Sequence, residues 1–225
     1  MKKIIILLTI GIIQLGFSQS KKEIEVGDFS KLSVYDKIEV TLVSSDNNKV
    51  EITGNDIDNV SVVNKNGSLK IKMNLVNSFQ GDNVKATLYY KKLDQITAES
   101  GSSIKGSDRI KTVSLDVNAK NGSTINLIVD SERLNVKAGS GSIAQISGKA
   151  SVQDVLSNSG AKVQNKDLLS NQTDVTVNAG GQAEVNAAEL VNAKTRAGGE
   201  IIIYGSPKKI NEKSIAGGII KQANK

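Results

Sequence analysis

Ala98-Glu-Ser-Gly101, Ala119-Lys-Asn-Gly122, Ala138-Gly-Ser-Gly141 and Ser157-Asn-Ser-Gly160 are four versions of one turn, and Ala179-Gly-Gly181, Ala197-Gly-Gly199 and Ala216-Gly-Gly218 continue the series. The central glycines Gly101, Gly122, Gly141, Gly160, Gly181, Gly199 and Gly218 stand 21, 19, 19, 21, 18 and 19 residues apart. That interval is one coil of a solenoid, too short for a globular unit with its own core. Glycine admits the positive φ that a sharp bend needs, which makes these seven residues the structural turn positions.

The segments between the turns alternate. Leu115 and Val117, Leu134 and Val136, and Val175 and Val177 precede a turn, with Asp116, Asn135 and Thr176 pointing the other way; Ile104, Ile125, Ala144 and Val163 follow, three residues past the glycine. Period-two patterning with one apolar face predicts strands. Helical periodicity is absent, and a glycine in every repeat weakens a helix further. The prediction is an all-β, single-domain right-handed parallel β-helix, with seven rungs stacked over on the order of 30 Å at about 4.8 Å each. No coil buries its apolar face alone, so the repeats stabilise one another only when contiguous.

Residues 27–92 read as irregular strands that start or cap the solenoid, and residues 93–222 as the glycine-turn repeats. Ile38–Leu42 with Val50–Ile52, and Val60–Val62 with Leu69–Met73, read as hairpins or adjacent turns, and their place at the end of the stack is to cover open backbone edges. The Leu-x-Val approach is lost before the last two turns, at Lys194-Thr-Arg196 and Lys213-Ser-Ile215, as at a capped end.

Residues 1–19 have a basic start at Lys2 and Lys3, an apolar run from Ile4 to Ile13 and small residues before a cut near Ser18 or Gln19, the pattern of a secretory signal peptide. Residues 20–26 read as a short linker, and no transmembrane segment is expected after cleavage. The chain is therefore expected to be exported, to the periplasm, the outer-membrane surface or the extracellular space.

Composition narrows the chemistry. Loss of Lys2 and Lys3 leaves 27 basic against 23 acidic residues, a charge of +4 that is too mild to argue for nucleic acid. With no cysteine there are no disulfides and no thiolate sites, and with no histidine the commonest general base and metal ligand is missing. Neither a catalytic constellation nor a cofactor or metal site is expected. Gly139-Ser-Gly-Ser-Ile-Ala144 fits a relaxed dinucleotide pattern but is a repeat turn with no helix behind it. Glu99, Glu184 and Glu200 lie at different offsets from their glycines, so they form no acid–base pair.

Ligand-contact candidates are few. Asp116, Asn135 and Asp154 occupy matching repeat positions and predict an outward oxygen-bearing column, either a solvated polar ladder or a calcium contact. Lys70 and Lys72 share one outer face, suited to an acidic polysaccharide or to guarding a strand edge. Tyr89 and Tyr90 face opposite ways on a strand, so one is expected at the surface, where it can stack on a ligand.

The Ala-x-x-Gly-Ser turns, the opening Phe29-Ser-Lys-Leu-Ser-Val34, the strand Ile38-Glu-Val-Thr-Leu42 and the closing Ala-Gly-Gly218 together resemble the auto-transporter adhesin family with a head GIN domain, over about residues 27–222. The resemblance implies a right-handed parallel β-helix exported to a bacterial envelope, and little about chemistry. Turns in that family often read Gly-Gly-Ser-Asp, whereas Ser103 and Thr124 stand at the acidic position here. The function expected is an adhesin-like, non-enzymatic interaction protein whose β-helix faces bind a polysaccharide, an envelope protein or a second copy. A polysaccharide lyase or hydrolase on the same scaffold, and a periplasmic structural or sensory component, are the alternatives.

Overall fold

The computed structural model describes residues 21–223. The expected signal peptide lies outside them. Sixteen strands form one continuous sheet wound into a parallel β-solenoid of about seven turns. They are β1 (Lys21–Glu25), β2 (Lys31–Val34), β3 (Glu39–Ser44), β4 (Lys49–Gly54), β5 (Val60–Lys65), β6 (Ser68–Met73), β7 (Val84–Tyr90), β8 (Gln95–Ala98), β9 (Ser103–Ala119), β10 (Thr124–Ala138), β11 (Ile143–Ser157), β12 (Lys162–Asn178), β13 (Gln182–Arg196), β14 (Glu200–Gly205), β15 (Lys209–Ile215) and β16 (Ile219–Gln222).

Strands β9 to β13 each run nearly a full coil and turn where the alternation breaks, twice in β9 and β12. In β10 the break falls at Glu132 and Arg133, two consecutive exposed residues between buried Ser131 and Leu134. On either side of the bend, inward residues stack in register. One column runs Ala86, Val40, Ile104, Ile125, Ala144, Val163, Ala183, Ile201, Ile220. The opposite wall contributes Leu69, Leu32, Ile96, Val117, Val136, Val155, Val175 and Ala193. Nearly all of these side chains are fully buried, so each coil's apolar face is closed only by its neighbours.

The turns carry two left-handed residues in succession, such as Asn121 (φ 52°) and Gly122 (φ 73°). The later turns are phased one residue earlier than the sequence reading has it. The second left-handed position is held by Gly180, Gly198 and Gly217, so Gly181, Gly199 and Gly218 stand one place beyond it. The equivalents of those three in the earlier turns are Ser102, Ser123, Ser142 and Ala161. The three serines form a buried ladder: Ser123 Oγ accepts the Lys120 N–H at 2.9 Å and donates to the Ala98 carbonyl one coil below at 2.8 Å. Ser102 and Ser142 repeat this with Glu99 and Val34, and with Gly139 and Ala119. Where the ladder ends, glycine is required for space, since a Cβ on Gly181 would lie 2.7 Å from Ser157 Oγ and one on Gly218 would lie 2.6 Å from Thr195 Oγ1.

A second phase difference lies in β12. Val175 stacks on Val136 and Val155, so the partner of Leu134 is not Val175 but Gln153 and then Thr173. Gln153 and Thr173 are buried where leucine would continue the column.

At the N-terminal end, spatial and chain order differ. The rung built from β6 and β7 stacks under β2 and β3, and these stack under β8 and the first part of β9. Strands β4 and β5 then lie antiparallel on β7 and β6, and β1 lies antiparallel on β4. The expected pairing of β3 with β4 therefore does not occur, because β7 stands between them; β4 instead buries Val50 and Ile52 as a cap over Leu88 and Ala86. Strands β5 and β6 do form the expected hairpin, around Asn66 (φ 52°) and Gly67 (φ 75°). Within the expected 20–26 linker, Lys21–Glu25 is the strand β1, held by Lys21 against Glu51 and by Lys49 against Glu23.

Candidate functional site

The bend in each coil places two outward residues side by side, and stacked bends make a furrow. Its walls are Ser44–Asp46, the Tyr90–Asp94 connection, and the bends at residues 109–114, 130–132, 149–151 and 169–171, ending at Asn186 and Ala188. Four hollows join through shared residues: Lys91 and Lys111 each belong to three of them, and Val113, Lys92 and Ser44 to two. The strands carrying it, from β7 through β3 to β13, are seven neighbours, so six spacings of ~4.8 Å give a length of about 29 Å.

The largest hollow, about 780 Å³, spans the bends of β9 to β13. Val113 and Leu169 stand in its walls at 68% and 63% exposure. Its charges balance: Lys111 and Lys149 face Asp130 and Glu132, with Lys149 Nζ 3.4 Å from Asp130 Oδ2. Part of the floor is polar. Ser170 Oγ donates to the Asn186 carbonyl at 2.7 Å and lies 2.8 Å from Thr173 Oγ1. Gln153 Nε2 reaches Ser170 Oγ at 3.2 Å from the interior, and Asn165 Nδ2 donates to Gln153 Oε1 at 3.1 Å. The two polar interruptions of the core column, Gln153 and Thr173, thus serve the floor of the furrow.

The other end differs in charge. Ser44, Tyr90, Lys91, Lys92, Leu93, Arg109, Ile110 and Lys111 enclose about 350 Å³ with no carboxylate in the wall. Lys91 Nζ lies 3.6 Å from Asp28 and Lys92 Nζ 3.0 Å from Asp94, while Arg109 and Lys111 make no ion pair among the described residues. Tyr90 is 4% exposed and lines the hollow, and its hydroxyl is not among the fully buried unpaired polar atoms of the described residues. Burial, and then the charge of Asp108, push its pKa up to about 12, and Asp108 is itself engaged by the Ser44 N–H at 2.9 Å.

Of the sequence-predicted contacts, Tyr90 and Asp116 border the furrow and the others do not. Tyr90 is buried, and Tyr89 is half-buried with Lys49 Nζ 4.8 Å from its ring centroid, so neither is the freely exposed platform that was expected. Lys70 and Lys72 are exposed on one face of β6, as their spacing predicts, but β6 lies between β2 and β5 and is no sheet edge to guard. Asp116, Asn135 and Asp154 do stack, and the column continues through Asp174, Asn192 and Asn211. Asn135 Nδ2 donates to Asp116 at 2.7 Å, Asn192 to Asp174 at 2.6 Å, Asn211 to Asn192 at 2.8 Å, and Arg133 pairs with Asp154 at 2.6 Å. The oxygens are spent on neighbouring coils, and no group of three acidic residues placed to hold a metal occurs among the described residues. The furrow residues escaped the sequence reading because they sit where alternation fails; the paired outward residues in mid-strand are the signal that marks them.

Residues 28–207 match the family model described as "Putative auto-transporter adhesin, head GIN domain". No curated protein matches the chain. Among solved structures, a putative adhesin from Bacteroides fragilis is similar at 19% identity and a TM-score of 0.84, covering 92% of this chain and 98% of its own. A putative adhesin from Parabacteroides distasonis is similar at 18% and 0.73, covering 91% and 96%. A protein from the same species titled a putative lipid binding protein is similar at 15% and 0.69, covering 92% and 97%. These likenesses show the fold. Among the described residues no helix is long and apolar enough to cross a membrane, which leaves β-barrels unaddressed.

Proposed function

This chain belongs to the head GIN domain family of auto-transporter adhesins, and from that premise we propose that it is an exported, non-enzymatic interaction protein of the cell surface or envelope that holds an extended partner in the furrow at the bend of its solenoid. The observation that carries the reading is the continuity of that furrow over seven stacked strands, with exposed Val113 and Leu169 in its walls. A flat solenoid face satisfies its own polar groups, as the Asp116–Asn135 bond does. The furrow offers concavity, exposed apolar atoms and unpaired cations together, the combination that a partner's desolvation and specificity both need. The shape suits a linear polymer or an extended protein segment, and the reading invokes no cofactor.

Protease treatment of intact producing cells, with lysed cells as control, tests the location. Digestion on intact cells is the expected result; protection until lysis places the chain in the periplasm and removes direct adhesion. Incubation with acidic and neutral polysaccharides tests the chemistry, since sustained release of reducing ends or unsaturated products would overturn the non-enzymatic reading.

A further inference from the structure

Resting on that reading of the furrow, we infer that the basic hollow at its β7 end is an anion subsite, which seats a sulfate or carboxylate group of a linear acidic polysaccharide laid along the furrow. Lys91, Lys92, Arg109 and Lys111 converge on this hollow, and its wall holds no carboxylate. Two of the four cations are shared with Asp28 and Asp94 outside the wall, and Arg109 and Lys111 are left without an ion-pair partner among the described residues. Tyr90 supplies the second, independent observation. The residue is 4% exposed, yet its hydroxyl is not among the fully buried unpaired polar atoms of the described residues and makes no hydrogen bond to them, so the phenol tip opens on the hollow that it lines. An oxyanion there gains a phenolic donor, the planar fork of Arg109 and the ammonium of Lys111, in a recess where charge is screened less than on open surface.

The remainder of the furrow argues for the class of polymer. Asp130 and Glu132 lie in the wall of the large hollow and balance Lys111 and Lys149. A nucleic acid, with one charge per ~1.7 Å of duplex, would bring phosphates against those carboxylates, and no exposed aromatic in the furrow offers a stacking platform for bases. A polysaccharide carries its charges further apart and presents hydroxyls between them. Thr112, Ser151 and Asn171 line the same hollow and meet hydroxyls with hydrogen bonds.

The test compares one backbone in three forms: dextran, carboxymethyl dextran and dextran sulfate, each titrated into the full chain at low and high salt. The variants are Arg109→Gln with Lys111→Gln, Tyr90→Phe, and Leu169→Glu at the far part of the furrow, with Leu75→Asp as control on the exposed loop at the opposite end of β7. We expect one or both acidic forms to bind more tightly than dextran and to weaken with salt. Losing a hydrogen bond to a charged group is worth about a tenfold change, so Tyr90→Phe should weaken acidic binding about tenfold and the double variant more. Inorganic sulfate should compete, and the preferred form identifies the anion as sulfate or carboxylate. If Leu169→Glu abolishes binding while the double variant and Tyr90→Phe bind normally, the subsite is overturned and the furrow stands. If neither furrow variant matters, or no acidic form exceeds dextran, the subsite falls. Single-stranded DNA binding as tightly as dextran sulfate, with the same response to the variants, would overturn the polysaccharide assignment.

Discussion

Replacing the three ladder serines by alanine tests whether neighbouring coils are held together from inside the turns. Ser102, Ser123 and Ser142 are 0% exposed, and each hydroxyl donates to the carbonyl of the coil below at 2.8 to 2.9 Å. That bond is lost outright in an alanine variant and is worth about 1 kcal/mol net. The bond each hydroxyl accepts counts for less, because the same N–H already donates to the neighbouring coil: Lys120 N–H reaches the Ala98 carbonyl at 3.0 Å as well as Ser123 Oγ at 2.9 Å. About 1 to 1.5 kcal/mol per serine follows. Taken one by one their costs sum to about 3 to 4.5 kcal/mol, a large part of the ~5 to 15 kcal/mol typical of a domain, and any coupling between the adjacent coils shows as a departure from that sum. Urea unfolding followed by circular dichroism should show the midpoint falling stepwise through the single, double and triple variants with little change in slope. Exposed Ser107→Ala is the control and should lie within about 0.5 kcal/mol of the native protein. A triple variant that loses less than about 1 kcal/mol would show that the coils are not held together from inside the turns.

Glycines with the same sign of φ should differ sharply in what they tolerate. An alanine at Gly148 (φ +108°) puts its Cβ 2.1 Å from the Val129 carbonyl oxygen and should cost more than about 3 kcal/mol, whereas Gly122→Ala meets nothing within 4 Å and should cost only about 1 to 2 kcal/mol, both read from urea midpoints. Tyr90, pushed up to about 12 mainly by burial, keeps its proton in the folded state after the unfolded chain has lost it near pH 10, so its contribution is present below pH 10 and lost as pH rises towards 12. Tyr90→Phe should therefore flatten the fall in thermal midpoint over that range, and an unchanged slope would contradict the raised pKa of Tyr90. Glu39 is held below the usual carboxylate range chiefly by its hydrogen bond from Lys105. Stability from this pair is present above the unfolded glutamate pKa and lost as pH falls through the lowered one, so Lys105→Met should reduce the acid-side decline measured by fluorescence-free thermal scans between neutral and acid pH.

The columns were legible because a parallel stack repeats its requirements every coil. Ile104, Ile125, Ala144 and Val163 fall three residues past their glycines, and the ladder of Asp116, Asn135 and Asp154 follows from the same phase. The phase failed where a coil gains a residue. The register between β11 and β12 shifts between Gln145 and Gly148, which moves Val175 beneath Val155 and leaves Thr173 in the leucine position. Near the last turns two adjacent glycines made the left-handed position ambiguous, and only pairing such as Gln182 with Glu200 identifies Gly198 over Gly199. The end cap hid its topology because antiparallel and parallel strands share one alternation pattern: Val50 and Ile52 read as a hairpin partner of β3 until β7, more than thirty residues later, takes that place. Export and the general binding role could be argued from the leader pattern, the missing histidine and the turn motifs. The furrow was harder to read, since its residues are remote in sequence and are marked only by the paired outward residues where the alternation breaks.

Because the chain contains no cysteine, a single introduced thiol can be labelled cleanly, and this gives the most direct test that the furrow is the binding face. Val113→Cys and Leu169→Cys, each carrying a bulky maleimide adduct, fill the furrow, while the same adduct on Leu75→Cys stands on an 88% exposed residue away from it. Attachment to a polymer-coated surface that retains the unlabelled protein is then measured for all three. The furrow reading predicts that both furrow adducts abolish attachment and the Leu75 adduct leaves it intact. Normal attachment with the furrow filled, and loss with the Leu75 adduct, would contradict it.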